Sequence, residues 1–211
     1  MHPVSLLLDF VGPKPVEVKD ISRAKRYASA IFGFLAALLA AALWGIAAGT
    51  HEGHIALANA ARVPMLLGVA SLAALPIGLL TWKLTTTLGR GSDLVLGHAA
   101  ATFTGALALA ALAPIVVLYQ ESSVWAGPVV ALGSAVVGVL VGLVALLRVV
   151  RKLVTSGRER LALLFPFALM FAVETATLMQ LSAIMPPVFP ERSAFGRGID
   201  GMTERQGEAF R

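Results

Sequence analysis

The sequence predicts an all-α protein, a polytopic bundle of five transmembrane helices with a cytoplasmic N-terminus and an outside C-terminus. Three observations carry this. Five apolar runs reach the roughly 20 residues needed to cross about 30 Å of hydrocarbon. Only 14% of the 211 residues are charged and 57% are hydrophobic, whereas soluble domains are about 25% charged. Basic residues, moreover, crowd alternate connections. Mean hydropathy is +0.82.

Residues 1–26 form a cytoplasmic segment. Val4 to Val11 is apolar but short and broken by Asp9, so it reads as an interfacial stub rather than a cleaved signal. The first span, 27–49, follows the basic run Arg23, Lys25 and Arg26. The second, 64–82, opens on Pro64, a residue preorganised for a first helical turn. The third, 94–119, begins after Ser92 as N-cap. At about 1.5 Å per residue it is about 39 Å long, so its first turns, with His98, are expected to project into the cytoplasmic interface. The fourth, 124–147, carries Pro128 in its first turn, and the short Gln120–Ser123 connection makes the third and fourth spans an antiparallel hairpin. The fifth, 161–185, stops at Pro186 and Pro187, which cannot extend a helix. Residues 186–211 make a polar extracytoplasmic tail, expected to be ordered by a partner. Lipid offers no water to loose backbone groups, so the runs must be helical.

Orientation follows from the basic residues. Lys14, Lys19, Arg23, Lys25 and Arg26 precede the first span, Lys83 and Arg90 lie in the second connection, and Arg148, Arg151, Lys152, Arg158 and Arg160 lie in the fourth. Twelve of the 17 therefore fall on one side, which the positive-inside rule makes cytoplasmic.

Apolar burial does not drive helix association inside lipid, so small residues that permit close approach must do so. The first span repeats them every fourth position at Ser29, Gly33, Ala37, Ala41, Gly45 and Gly49; the fourth has Ser134, Gly138 and Gly142. These stripes suit packing within the chain, with a homo-oligomer seam as the alternative. Pro76, Pro114 and Pro166 lie inside the second, third and fifth spans, where each removes a donor and bends its helix. Neighbouring helices or hydroxyls ordinarily satisfy the freed carbonyls; in transporters such bends also line cavities.

Glu174 is the sharpest chemical feature. It sits near the middle of the fifth span beside Thr175, Thr177 and Gln180. A charged carboxylate there costs a few kcal/mol, so it must face the bundle interior. With no Lys or Arg at comparable depth, a protonated, hydrogen-bonded group is expected, with Thr102 and Thr104 of the third span as candidate partners. It can serve as an interhelical hydrogen bond, a subunit contact, or a proton or ion relay. The lack of a second carboxylate or a basic relay partner weighs against a pump.

Other groups offer less. The chain has no cysteine, which removes disulfides and thiolate chemistry. His51, Glu52 and His54 cluster in the first connection, but their spacing is not that of a zinc-binding HExxH helix. Gly-Arg-Gly-Ser-Asp at 89–93 lacks the lysine and strand of a phosphate loop and reads as a turn and cap. Arg148, Arg151, Lys152, Arg158 and Arg160 form a basic loop facing lipid, able to dock anionic headgroups at about 1 kcal/mol each. No catalytic constellation, cofactor or metal site is expected. The net charge of +5 belongs to the loops and not to a nucleic-acid reader fold.

Several landmarks occur in order: Trp44-Gly45 with Gly49, Ala61-Arg62-Val63-Pro64, Leu75-Pro76, Leu88-Gly89 and Ala113-Pro114. Over roughly residues 40–120, the chain resembles a group of uncharacterised bacterial five-span proteins with a layout related to the Yip family of membrane-trafficking proteins. That resemblance implies a multi-pass protein of the bacterial inner membrane and no particular activity. The expected function is that of a non-catalytic subunit or organiser, binding other integral membrane subunits or copies of itself through span faces and the C-terminal tail. The alternative is a small transporter or proton/ion-conducting protein centred on Glu174.

Overall fold

A chain that must satisfy its backbone without water has to close every hydrogen bond locally, and all five apolar runs do so as helices. In the computed structural model, which describes residues 22–85, 90–123, 125–153, 157–184 and Val188, these are α1 (Arg23–Ala48), α2 (Gly53–Thr85), α3 (Gly91–Ser122), α4 (Ala126–Leu153) and α5 (Gly157–Ile184). The described residues form no strand. Each helix is long and apolar enough to cross a bilayer. Leu39, Leu118, Leu140 and Phe165 are 71%, 66%, 54% and 56% exposed, a surface suited to acyl chains. The chain is a multi-pass membrane protein built as a five-helix bundle.

Successive helices run antiparallel. The near end of the bundle holds the starts of α1, α3 and α5 and the ends of α2 and α4; the far end holds the rest. Residues 1–21, and the tail apart from Val188, lie outside the described residues.

Local chemistry sets the helix ends. The Ser22 hydroxyl caps α1 by accepting from the Lys25 amide at 3.4 Å. Asp93, in the first turn of α3, accepts from the Arg90 amide at 3.1 Å, where a carboxylate also suits the helix dipole.

Two boundaries differ from the sequence reading. α2 begins at Gly53, so Pro64 lies inside the helix and not in its first turn. The Ile55–Val63 stretch holds no breaker, and the turn before it is tight because Gly45 and Gly49 admit α2 closely. A Cβ on Gly45 would sit 2.5 Å from the Asn59 carbonyl oxygen, and one on Gly49 2.7 Å from the Ala56 amide nitrogen. At the near end, α4 runs on to Leu153 and α5 starts at Gly157. Arg148, Arg151 and Lys152 are therefore helical, as are Arg158 and Arg160, and the expected basic loop is a pair of basic helix ends. Positive charge in the last turn of α4 complements its dipole.

α2 has 33 residues and α3 has 32. At about 1.5 Å each they measure about 50 Å, so they tilt or protrude from a hydrocarbon layer about 30 Å thick.

Spatial order departs from chain order. The helices that pack extensively form an arc α5–α2–α1–α3–α4, while α2 with α3 and α4 with α5 touch only sparingly. The far-end core joins Trp44 and Ala48 of α1 to Ala113 and Val116 of α3 and Ala131 of α4, with Val188 against it. Midway, Ala37 and Ala40 of α1 meet Ala106 of α3. The near-end core closes the arc: Ala74 and Trp82 of α2, Leu94 of α3, Val150 of α4, and Leu163, Phe167 and Met170 of α5. Trp82 and Phe167 meet edge to face, with ring centroids 6.0 Å apart.

Candidate functional site

Immediately beyond the near-end core, two helices bring polar groups into contact inside the bundle, and a third carries a buried imidazole within electrostatic reach. Ser71 on α2 is fully buried and donates its hydroxyl proton to Oε1 of Glu174 on α5 at 2.5 Å. Small residues explain the approach of these helices. A Cβ on Gly78 would collide with the Met170 side chain, and Ala74 is buried in the same cluster. One turn farther along each helix, Ser71 meets Glu174.

His98 is buried on α3. The residue is 8% exposed, its Nε2 has no hydrogen-bond partner, and it lies within electrostatic reach of the Glu174 carboxylate. Gly97 makes room for this convergence: a Cβ there would sit 3.0 Å from Val149 and 3.3 Å from Phe167. His98 is thus buried among the helices, seven residues after the start of α3. The field of Glu174 reaches this histidine, a basic group that the sequence did not place near it. Carboxylate, imidazole and hydroxyl can each take or pass a proton, and such groups within membrane spans mark proton pathways.

The other polar residues of the spans are differently engaged. The Thr102 hydroxyl donates to the His98 carbonyl at 3.0 Å, Thr104 to Ala100 at 2.7 Å, and Thr177 to Val173 at 2.8 Å. These bonds stay within their own helices, so Ser71, and not Thr102 or Thr104, holds Glu174. Thr175 is half-buried and Gln180 is exposed. Pro76 and Pro166 interrupt the two helices that carry Ser71 and Glu174, and Pro114 interrupts α3.

A second polar locus lies at the near end. Arg26 of α1 and Asp93 of α3 are buried and paired through Nη1 and Oδ1, while Oδ2 of Asp93 accepts from the Arg90 amide. Sequence reasoning missed this pair, because Arg26 sits in a basic run that signals orientation and Asp93 in a stretch that reads as a cap.

At the far end, Trp44 Nε1 donates to Ser134 Oγ at 2.8 Å and Gln120 Nε2 to the Ala48 carbonyl at 3.0 Å. Asn59 Nδ2 donates to the Val188 carbonyl at 2.7 Å. Both small-residue stripes are occupied within the chain. Gly33 and Gly45 are buried in α1. A Cβ on Gly138 would sit 2.7 Å from Leu109, and one on Gly142 3.1 Å from the Ala101 carbonyl. His54 and Glu52 come within 3.6 Å on the surface, and no three potential metal ligands cluster among the described residues.

No protein family matches the chain, and neither a curated protein nor a solved structure is similar to it.

Proposed function

We propose that this multi-pass membrane protein is a small proton-linked transporter or proton conductor, with Glu174 and His98 as its protonatable centre. The observation that carries this reading is a carboxylate on α5, bonded to Ser71 of α2, whose field reaches a buried imidazole on α3 with an unpartnered Nε2. Ionisable groups are costly at bilayer depth, and a pair drawn from separate helices supplies the second relay group whose lack argued against conduction. Ser71 holds the carboxylate in place, and α4 packs only sparingly on α5, as does α2 on α3.

The near end faces the cytoplasm in this reading, following the basic residues, in a bacterial inner membrane as the Yip-like resemblance implies. The test is proteoliposome proton flux, followed with an internal pH dye. Glu174→Gln preserves an acceptor for Ser71 but cannot ionise, and is expected to abolish flux, as is His98→Leu. Folded wild-type protein without flux, or an active Glu174→Gln variant, overturns the reading.

A second reading keeps a non-catalytic organiser that binds other membrane subunits. Val188 supports it: beyond α5 this residue packs against the far-end core, and its carbonyl accepts from Asn59 of α2. Recovery of the chain with other membrane proteins after mild extraction, lost when residues 189–211 are deleted, is the expected result.

A further inference from the structure

A lipid-facing groove of about 310 Å³ runs along the α3–α4 seam. Val137, Leu140, Val144 and Ala145 of α4 line it with Thr104 of α3, and Arg148 stands at one end. Its origin is the same close packing that seats the helices. Gly105, Gly138 and Gly142 draw the two backbones together, and Thr104 is too short to fill the space beside the valine ridge. The Thr104 hydroxyl is already bonded to the Ala100 carbonyl, so the walls offer no free polar group. From Val137 to Arg148 the groove follows α4 for about 16 Å at about 1.5 Å per residue.

We infer that this groove seats one acyl chain of an anionic phospholipid, drawn from the leaflet at the near end, with its phosphate held by Arg148 and Arg151. Charge complementarity selects the occupant. Arg148 is exposed and has no hydrogen bond or ion pair among the described residues. Arg151, three residues on, is exposed as well. Arg148 lies about 8 Å before the end of α4, within snorkelling distance of the interface. A symmetric second copy on this face would bring Arg148 against its own counterpart, which disfavours self-association there.

Native mass spectrometry of the full chain in mild detergent tests this, using phosphatidylglycerol and phosphatidylethanolamine with matched acyl chains. Phosphatidylglycerol is expected to bind about fivefold or more tightly than phosphatidylethanolamine, the size of one arginine contact near the surface. Arg148→Gln is expected to erase that preference and Arg148→Lys to keep most of it. Val144→Phe, which fills the groove, should weaken both lipids, while Val139→Phe, outside the groove, should leave them unchanged. Equal wild-type affinities, a preference that survives Arg148→Gln, indifference to Val144→Phe, or dimer in place of lipid adducts overturns the inference.

Discussion

Ser71 and Glu174, 103 residues apart in sequence, meet through a 2.5 Å hydrogen bond that ties α2 to α5. The bond sits where the two helices are held close by Ala74 and Gly78 against Met170. It therefore reports on the seating of α5 as well as on the chemistry of the carboxylate.

Ser71→Ala is expected to destabilise the bundle by about 1–3 kcal/mol, because it leaves a partly buried acceptor unpaired. Adding Glu174→Leu should recover much of that loss, since removing both polar partners removes the desolvation penalty. Chemical unfolding in detergent micelles measures both. Equal stability of Ser71→Ala and wild type would show that water replaces the serine.

The buried Arg26–Asp93 pair should behave asymmetrically. Asp93→Ala or Arg26→Met alone is expected to cost about 3–5 kcal/mol by stranding one charge. The Arg26→Met/Asp93→Leu double variant should lose less than either single variant. A double-mutant cycle in the same unfolding assay reads the coupling.

Two glycines give opposite expectations. Gly45→Ala drives a methyl into the Asn59 carbonyl, backbone that cannot swing aside, so a loss of about 1–3 kcal/mol is expected. Around Gly133 a Cβ meets nothing within 4 Å. Gly133→Ala should therefore stabilise by up to about 1 kcal/mol through helix propensity.

Orientation has its own check. Reporters fused after Arg211 are expected to be active only if they work outside the cytoplasm, such as alkaline phosphatase. A fluorescent protein that matures only in the cytoplasm should stay dark there, and brightness at that position would reverse the assignment.

The five spans were legible because length and apolarity alone decide whether a segment dissolves in acyl chains. Glu174 was legible for the same reason, since a carboxylate in such a segment stands out without knowledge of its neighbours. Its partner was not. Ser71 is one of several hydroxyls in the spans, and only the antiparallel register of α2 and α5 selects it. The burial of His98 was not legible either, because only the packing of Val149 and Phe167 against Gly97 encloses that turn of α3. Pro64 misled, because preference for a first turn is weaker than the continuity of the helix-forming residues before it. Arg26 and Asp93 could not be paired from sequence, because each had a sufficient local explanation 67 residues from the other.

The arc order of the helices bears on how the chain is made. α5 is the last to leave the ribosome and the least hydropathic, at 1.8 against 2.1–2.7 for the others, yet its main neighbour is α2 and not the freshly synthesised α4. Its entry into the bilayer thus depends on a berth laid down about a hundred residues earlier. Translocon-insertion assays on nascent chains should find α5 retained less efficiently when Ser71 or Gly78 is replaced, even with its own residues unaltered.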